Sequence, residues 1–329
     1  MRRMRRILVA VKDPAAPALP AVNKAAQLAK ALGARLTLFH AVAAPHGLGD
    51  EQPPPQLPAG ELREQTRALQ EAALQRIAGR LRRRGIRVVT AADWDYPAAE
   101  AILREAGRID ADLIVVEAHP HHNGHATFLR LTDWELLRHS PVPLLLVKLA
   151  AAYRHPRVLL ALDPDHTFDK PARLDAQIVK MGSQVSRALR GSLHAVHAYT
   201  PIAPATLSRG LPSAAALADA QTREAAVAER KLAMATRAAR IPRSRRHLSA
   251  RHVPDAIEDV AAKTHSTLVV LGSVARSGLK NLLIGNTAER VLDHLGSDIL
   301  LVKPTRPVSM RQTARPAAQR PGILPPERR

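Results

Sequence analysis

Long stretches of the first half of the chain recur, in the same order, in the second half. The segment RRILVAVKDP at residues 5–14 corresponds to PRVLLALDPD at 156–165, and LTDWELLRHSPVPLLLVK at 131–148 corresponds to GNTAERVLDHLGSDILLVK at 285–303. A repeat of this length indicates a duplicated domain rather than a short-period solenoid. The 329 residues are enough for two domains of ordinary size.

Each half alternates short apolar runs with longer windows of helical spacing. The helical windows are residues 15–32 and 60–84 in the first half and 173–189 and 214–239 in the second. The runs between them are continuously apolar, which is typical of parallel strands covered on both faces. The pattern predicts an α/β fold made of two doubly wound parallel five-stranded sheets in tandem.

The predicted domains are residues 1–150 and 156–304, joined by a short linker that keeps the halves in contact. Proline-rich stretches at 53–55 and 201–212 predict long loops after the second strand of each half. Residues 305–329 contain arginines and prolines and little apolar content, which predicts a disordered basic tail.

The composition limits the classes of function. A formal net charge of +20 favours anionic partners, although arginine clusters at 80–84 and 237–246 also suit the predicted helix C-termini. Aromatic residues make up 2% of the chain, which leaves few platforms for stacking bases. The absence of cysteine excludes disulfides, thiol catalysis and cysteine-based zinc sites. No apolar run is long enough to insert into a membrane, so a cytoplasmic location is expected.

A glycine-containing loop follows one apolar run of the second half. The run at 268–271 stops at Gly272, and Gly285 precedes polar residues that are typical of a helix start. Strand, glycine loop and helix N-terminus together can hold phosphates on backbone N–H groups. In a doubly wound fold the ends of the first and fourth strands meet at the switch point, which brings Asp163 towards Gly272. The alternative is an ordinary strand-to-helix turn that binds no ligand.

The loop resembles the nucleotide motif of the universal stress protein family, in which G-x-x-G is followed by nine residues and G-[ST]. Gly272 and Gly285 keep that spacing, whereas Ala275 replaces the second glycine and Asn286 replaces the Ser or Thr. Together with LTDWELLRHSPVP and DILLVKP, the stretch is similar to the enterobacterial E subgroup of this family. The resemblance implies an adenine nucleotide α-hydrolase-like fold, a regulatory binding role in stress survival, including DNA damage, and ATP or AMP as a weakly held ligand.

The resemblance assigns the nucleotide site to the second half, because Lys12 replaces the strand-end aspartate in the first. The expected cofactor-binding residues are Asp163, Ala198, Gly272, Val274, Ala275, Gly285, Asn286 and Thr287. No catalytic or metal-binding residue is assigned. The histidines at 119, 121, 122 and 125 are interpreted as a solvated run, with a metal site as the alternative. Structural hydrogen bonds are expected for His40 and His197, at the ends of equivalent strands.

Three hypotheses of function follow. The first is a tandem stress protein whose second half holds adenine nucleotide. The second is a basic protein that associates nonspecifically with nucleic acid, and the third is a weak ATPase that uses Asp163, Asp165 and His166.

The halves are expected to form an intramolecular pseudo-dimer. The apolar edge strands at 144–147 and 299–302 would pair with each other, because exposed apolar edges aggregate. Homo-oligomers remain an alternative, and the isolated second half is expected to dimerise.

Overall fold

The structure of the chain is a computed structural model. It describes residues 4–42, 59–94, 97–118, 131–165, 173–199, 214–272, 291–292 and 294–304. The basic tail, both proline-rich loops, the histidine-rich segment and most of the glycine loop lie outside these residues.

The first half alternates strands and helices as the apolar pattern predicts. Its elements are β1 (Arg6–Ala10), α1 (Pro20–Leu32), β2 (Arg35–Val42), α2 (Ala59–Arg83), β3 (Val88–Trp94), α3 (Ala98–Arg108), β4 (Leu113–Glu117), α4 (Leu131–His139) and β5 (Leu144–Val147). Helix α1 starts later than the apolar spacing indicates, because Pro20 suits the first turn of a helix whereas Pro17 precedes it without helical structure.

The second half repeats this order. Its elements are β6 (Arg157–Ala161), α5 (Leu174–Ala188), β7 (Ser192–Ala198), α6 (Ala214–Thr236), β8 (Arg246–Ser249), α7 (Val253–Lys263), β9 (Leu268–Gly272) and β10 (Asp298–Val302). Helical residues also precede β10 at 291–292 and 294. The four helical windows predicted from the sequence therefore all contain helices.

The ten strands of the described residues form one sheet in the order β3-β2-β1-β4-β5-β10-β9-β6-β7-β8. Within each half, neighbouring strands are parallel, which confirms two doubly wound five-stranded units. Helices α1, α2, α5 and α6 contribute to the core on one face, and α3, α4 and α7 to the core on the other. The strands are buried on both faces, which is why they have no polar alternation.

The two halves join through their terminal strands. Strand β10 pairs antiparallel with β5, with Leu300 opposite Leu145 and Ile299 opposite Leu146. All residues of both strands are buried. The predicted pairing of the two apolar edges is therefore confirmed, and it removes two edges that would otherwise expose unpaired backbone groups.

A buried ion pair crosses the junction between the halves. Lys24 on α1 donates to Asp298 at the start of β10 over 2.5 Å, and their side chains are 1% and 0% exposed. Lys24 also donates to the carbonyl of Leu149 at 2.6 Å. The Asp298 carboxylate accepts from the hydroxyl of Tyr153 at 2.6 Å and from the backbone N–H groups of Lys148 and Leu149 at 2.9 Å each. Burial, and then the Asp298 charge, raise the pKa of Tyr153 well above its ordinary value.

This cluster has no counterpart on the other side of the pseudo-twofold axis. Gly33, after α1, corresponds to Arg190, after α5. The backbone N–H of each donates to the carbonyl of the residue three positions earlier in the preceding helix. Counting from these turns places Met181 at the position of Lys24, and the closing strands place Pro143 at the position of Asp298. The ion pair is therefore made only between α1 of the first half and β10 of the second.

Two lysines at the ends of the closing strands hold the opposite halves. Lys148, after β5, donates to the carbonyls of Leu292 and Leu295 in the second half. Lys303, after β10, donates to the carbonyl of Leu137 in α4 of the first half. Cations suit the carbonyl end of a helix, so each contact stabilises the last helix of the other half. Burial lowers the pKa of Lys303 to about 8.

Candidate functional site

The switch point of the second half lies between β6 and β9. These strands are parallel neighbours, with Leu160 opposite Val270, so the chain leaves both at the same edge of the sheet. Asp163 lies two residues after the end of β6, and Gly272 ends β9. Ala198 ends β7, the neighbour of β6 on the other side. Three of the expected site residues therefore share this edge, as the strand order requires.

The other expected site residues are not part of the described structure. Val274, Ala275, Gly285, Asn286 and Thr287 all lie in the segment between β9 and the helical residues before β10. Their assignment stays a prediction.

The small size of Gly272 has a packing reason. A Cβ atom at this residue would lie 2.6 Å from Cδ2 of Leu174 and 3.2 Å from Cδ1 of Ile178. Both side chains belong to α5, so the absence of a side chain lets this helix lie close to β9. The sequence analysis places Gly272 in the nucleotide loop; on the face towards α5, the space beside this glycine is filled by the helix.

Carboxylates gather at the same edge. Asp175, mostly buried in the first turn of α5, accepts a hydrogen bond of 3.4 Å from the backbone N–H of Asp163. An acidic side chain is stabilised in the first helical turn, where N–H groups point outwards. Asp163 and Asp175 therefore create a negative surface that favours hydroxyl or amino donors of a ligand over its phosphates.

A third carboxylate, Asp165, is held in a network with His197 and Lys231. Lys231 on α6 donates to Asp165 over 2.5 Å, and Nε2 of His197 lies 3.0 Å from the other carboxylate oxygen. Nδ1 of His197 lies 3.3 Å from the carbonyl of Leu162. Burial raises the pKa of Asp165, but the hydrogen bonds and charges of Lys231 and His197 outweigh it and lower the pKa below its ordinary value.

The first half lacks this network. Its buried histidine, His40, contacts the carbonyl of Val11 through Nδ1 at 2.7 Å, as His197 contacts Leu162. This confirms the structural role expected for both histidines. Burial lowers the pKa of His40, against the opposing effects of that hydrogen bond and the Asp13 charge. Lys12 and Pro14 occupy the positions of Asp163 and Asp165, so these two carboxylates have no counterpart at the same positions of the first half, where Asp13 is the acidic residue of the loop.

Lys231 is the residue at this edge that the sequence analysis missed. It belongs to the charged stretch EAAVAERKLAMAT of α6, where it is indistinguishable from a solvated helix residue. The described ranges contain no group of three or more His, Cys, Asp or Glu side chains placed to hold a metal ion. Nor do those ranges contain a helix long and apolar enough to cross a membrane.

The architecture defines a class of protein. Two parallel five-stranded units of the same strand order make an adenine nucleotide α-hydrolase-like α/β fold in tandem. The model of the Universal stress protein family matches residues 4–148 and 157–303. The chain therefore belongs to the universal stress protein family and carries two of its domains.

Relatives cover most of the chain. Universal stress protein E of Salmonella typhi is 31% identical over 216 residues, which is 64% of this chain and 67% of that protein. Universal stress protein E of Photorhabdus laumondii is 25% identical over 303 residues, 90% of this chain and 94% of that protein. A crystal structure of a functionally unknown Pseudomonas aeruginosa protein is 25% identical, with a TM-score of 0.70, and covers 92% of this chain and 93% of its own.

Proposed function

We propose that this chain is a stress-response binding protein whose second half holds an adenine nucleotide weakly and whose first half is structural. A cytoplasmic location and a contribution to survival under stress, including DNA damage, belong to the proposal. The single observation that carries it is the difference between the two switch-point edges. The second half presents Asp163 at the end of β6 beside β9 and the retained glycine spacing, whereas the first half presents Lys12.

The chemistry of the edge assigns roles to the two sides of the ligand. The Asp163 carboxylate would accept hydrogen bonds from ribose hydroxyl or adenine amino groups. The predicted loop from Gly272 to Thr287 would receive the phosphates on backbone N–H groups, away from the carboxylates. Ala275 adds a methyl group where nucleotide-binding relatives have glycine, which is why weak affinity is proposed.

Binding is proposed in preference to catalysis. A weak ATPase would need a free base near the phosphates, and Asp165 is the described carboxylate next to Asp163 in the loop. Lys231 and His197 occupy both oxygens of Asp165 and lower its pKa, which makes it a poor proton acceptor at neutral pH.

Calorimetric titration of the full chain with ATP and with AMP tests the proposal. Asp163→Ala should remove the heat of binding, while Lys12→Ala, the matched substitution in the first half, should leave the affinity unchanged. Loss of binding in Lys12→Ala but not in Asp163→Ala would reverse the assignment of the halves. No binding by the unmodified chain would mean that Ala275 and Asn286 close the site.

Nonspecific association with nucleic acid is the second candidate. Nucleic-acid association requires a cationic surface, whereas nucleotide binding uses the switch-point edge. Both functions can therefore occur in one chain, and substitutions at one surface test one function without removing the other. The observation that favours it is the distribution of arginines at the opposite edge of the second half.

A further inference from the structure

The edge of the second half where its strands begin is formed by segments that contain many cations. Residues 150–157, 187–192, 237–246 and 263–267 precede β6, β7, β8 and β9, and none of them contains Asp or Glu. Hydrogen bonds hold these segments side by side. Ser192 donates its N–H to the carbonyl of Pro156 at 3.0 Å, and a guanidinium nitrogen of Arg157 donates to the carbonyl of Thr264 at 2.9 Å.

Most arginines of this edge are exposed, and the described residues offer their side chains no carboxylate. We call this set the basic edge; it consists of Arg154, Arg190, Arg237, Arg240, Arg243 and Arg245. Arg246, by contrast, donates from two guanidinium nitrogens to one carboxylate oxygen of Glu229, at 2.8 and 3.0 Å. The positive charges of this region also affect a neighbouring histidine. The pKa of His194 is lowered to about 4, first by burial and then by the charges of His247, Arg245 and Arg157.

The corresponding edge of the first half contains two carboxylates. There Asp110 forms an ion pair with Arg6, and Asp112 accepts from the backbone N–H groups of Arg5 and Arg6 at 2.8 and 3.0 Å. Strands β4 and β9 align these aspartates with His265 and Thr267. The second half therefore lacks both carboxylates at the same positions in the fold.

The turns of this edge carry cations where the first half has glycine. Arg190 and Arg240 both have φ of +53°, and they correspond to Gly33 and Gly85, whose φ values are +65° and +78°. Left-handed backbone is unfavourable for an arginine, because its Cβ atom crowds the following carbonyl, whereas glycine has no such contact. At two turns the second half thus presents a guanidinium in a backbone conformation that disfavours it.

An open groove lies beside the basic edge. It has a volume of about 990 Å³, runs between α6 and β8, and is lined by Arg230, Arg243 and Arg246 together with alanines and Glu229. Glu229 is engaged by Arg246. Strand β8 is the outer strand of the sheet, so the groove is reached from the side as well as from the edge.

We propose that the basic edge and this groove bind the phosphate chain of a polyanion. Arginine suits this role because its planar fork matches phosphate oxygens and is always charged. The low aromatic content leaves few stacking platforms, so recognition is through phosphates and is indifferent to base sequence. Nucleic acid and inorganic polyphosphate share this chemistry. The surface lies at the opposite edge of the second half from Asp163 and does not depend on nucleotide binding.

Fluorescence anisotropy of the full chain with a labelled DNA duplex, across a series of salt concentrations, tests the proposal. Arg243→Gln/Arg245→Gln should weaken binding roughly tenfold at low salt and reduce the slope of log K against log salt by about 0.9 for each phosphate that is no longer neutralised. The control is Arg83→Gln/Arg84→Gln, which removes the same charge from exposed positions at the C-terminal end of α2 in the first half. It should leave affinity within about twofold.

Competition with inorganic polyphosphate distinguishes the two sources. If polyphosphate displaces the labelled duplex at a lower phosphate concentration than unlabelled duplex does, polyphosphate is the preferred ligand. If the labelled duplex resists displacement by polyphosphate, nucleic acid is the preferred ligand. Addition of polyphosphate should also shift the ring resonances of His194 and His247 and not those of His40. Equal weakening of binding in both double variants, weakening only on deletion of residues 305–329, or no binding of either probe at low salt would overturn the proposal.

Discussion

Replacing Lys24 with methionine isolates the contribution of the buried ion pair to the junction of the halves. Methionine is the residue that the second half itself has at the corresponding position, Met181, so the side chain suits a buried site on this helix. The substitution leaves the Asp298 carboxylate at 0% exposure without its cation. Removing one partner of a buried pair costs about 3–5 kcal/mol. The remaining donors, Tyr153 and two backbone N–H groups, favour the lower end, about 3 kcal/mol.

Urea unfolding of the full chain, followed by circular dichroism, measures this decrease in stability. Lys30→Met, an exposed substitution near the end of the same helix, should change stability by less than about 0.5 kcal/mol. The double variant Lys24→Met/Asp298→Asn should recover part of the decrease, because the uncompensated charge is gone. A decrease below about 1 kcal/mol in Lys24→Met, or strict additivity in the double variant, would refute the reasoning.

Three further predictions concern packing and charge at defined positions. Gly272→Ala should lower stability by about 1–3 kcal/mol, seen in thermal unfolding, because its Cβ atom would meet Leu174 of α5. Leu300→Asp should separate the halves without unfolding them, giving a larger hydrodynamic radius at unchanged ellipticity. The control is Leu69→Asp, which changes a leucine on α2 that is 72% exposed; it should alter neither the hydrodynamic radius nor the ellipticity. Burial lowers the pKa of Lys303 to about 8, so between that value and its ordinary 10.5 the unfolded state holds more protons and stability rises with pH. Urea midpoints should show this rise, up to about 1.4 kcal/mol per pH unit, and Lys303→Met should abolish it.

The sequence predicts the strand order and the junction because both depend on local apolar patterns. Continuous runs such as Leu144–Val147 predict strands buried on both faces, and their place at the end of each repeat predicts edge positions. The internal repeat then leaves one partner for each edge, which is the other half. The structure bears out this reasoning in the pairing of β5 with β10.

The ion pair could not be predicted in the same way. Lys24 precedes two alanines in α1 and has the polarity of a solvated helix position, and its partner Asp298 lies 274 residues away. The two sites occupy positions where the repeat is broken, since Met181 and Pro143 stand at their counterparts. Comparison of the halves therefore shows that these positions differ, but only the three-dimensional arrangement brings them together.

The sequence places two of the expected site residues at one edge of the sheet, but it does not reveal the packing role of Gly272. The end of β6 and the end of β9 are adjacent because doubly wound topology requires it, so Asp163 and Gly272 could be placed from the sequence. The reason for a glycine at position 272 could not be predicted from the sequence, because a glycine at the end of a strand can serve either the approach of a ligand or the close packing of a helix. The contact of Lys231 with Asp165 spans 66 residues and leaves no local signal.

Native mass spectrometry of the purified full chain with added ATP tests the central claim most directly. The account predicts adenine nucleotide at a stoichiometry of one per chain, because the second half has Asp163 and the glycine spacing whereas the first half has Lys12 in place of the aspartate. Asp163→Ala should remove the bound species, and Lys12→Ala should retain it. Two nucleotides per chain, or one nucleotide that persists in Asp163→Ala, would contradict the assignment of the site to the second half.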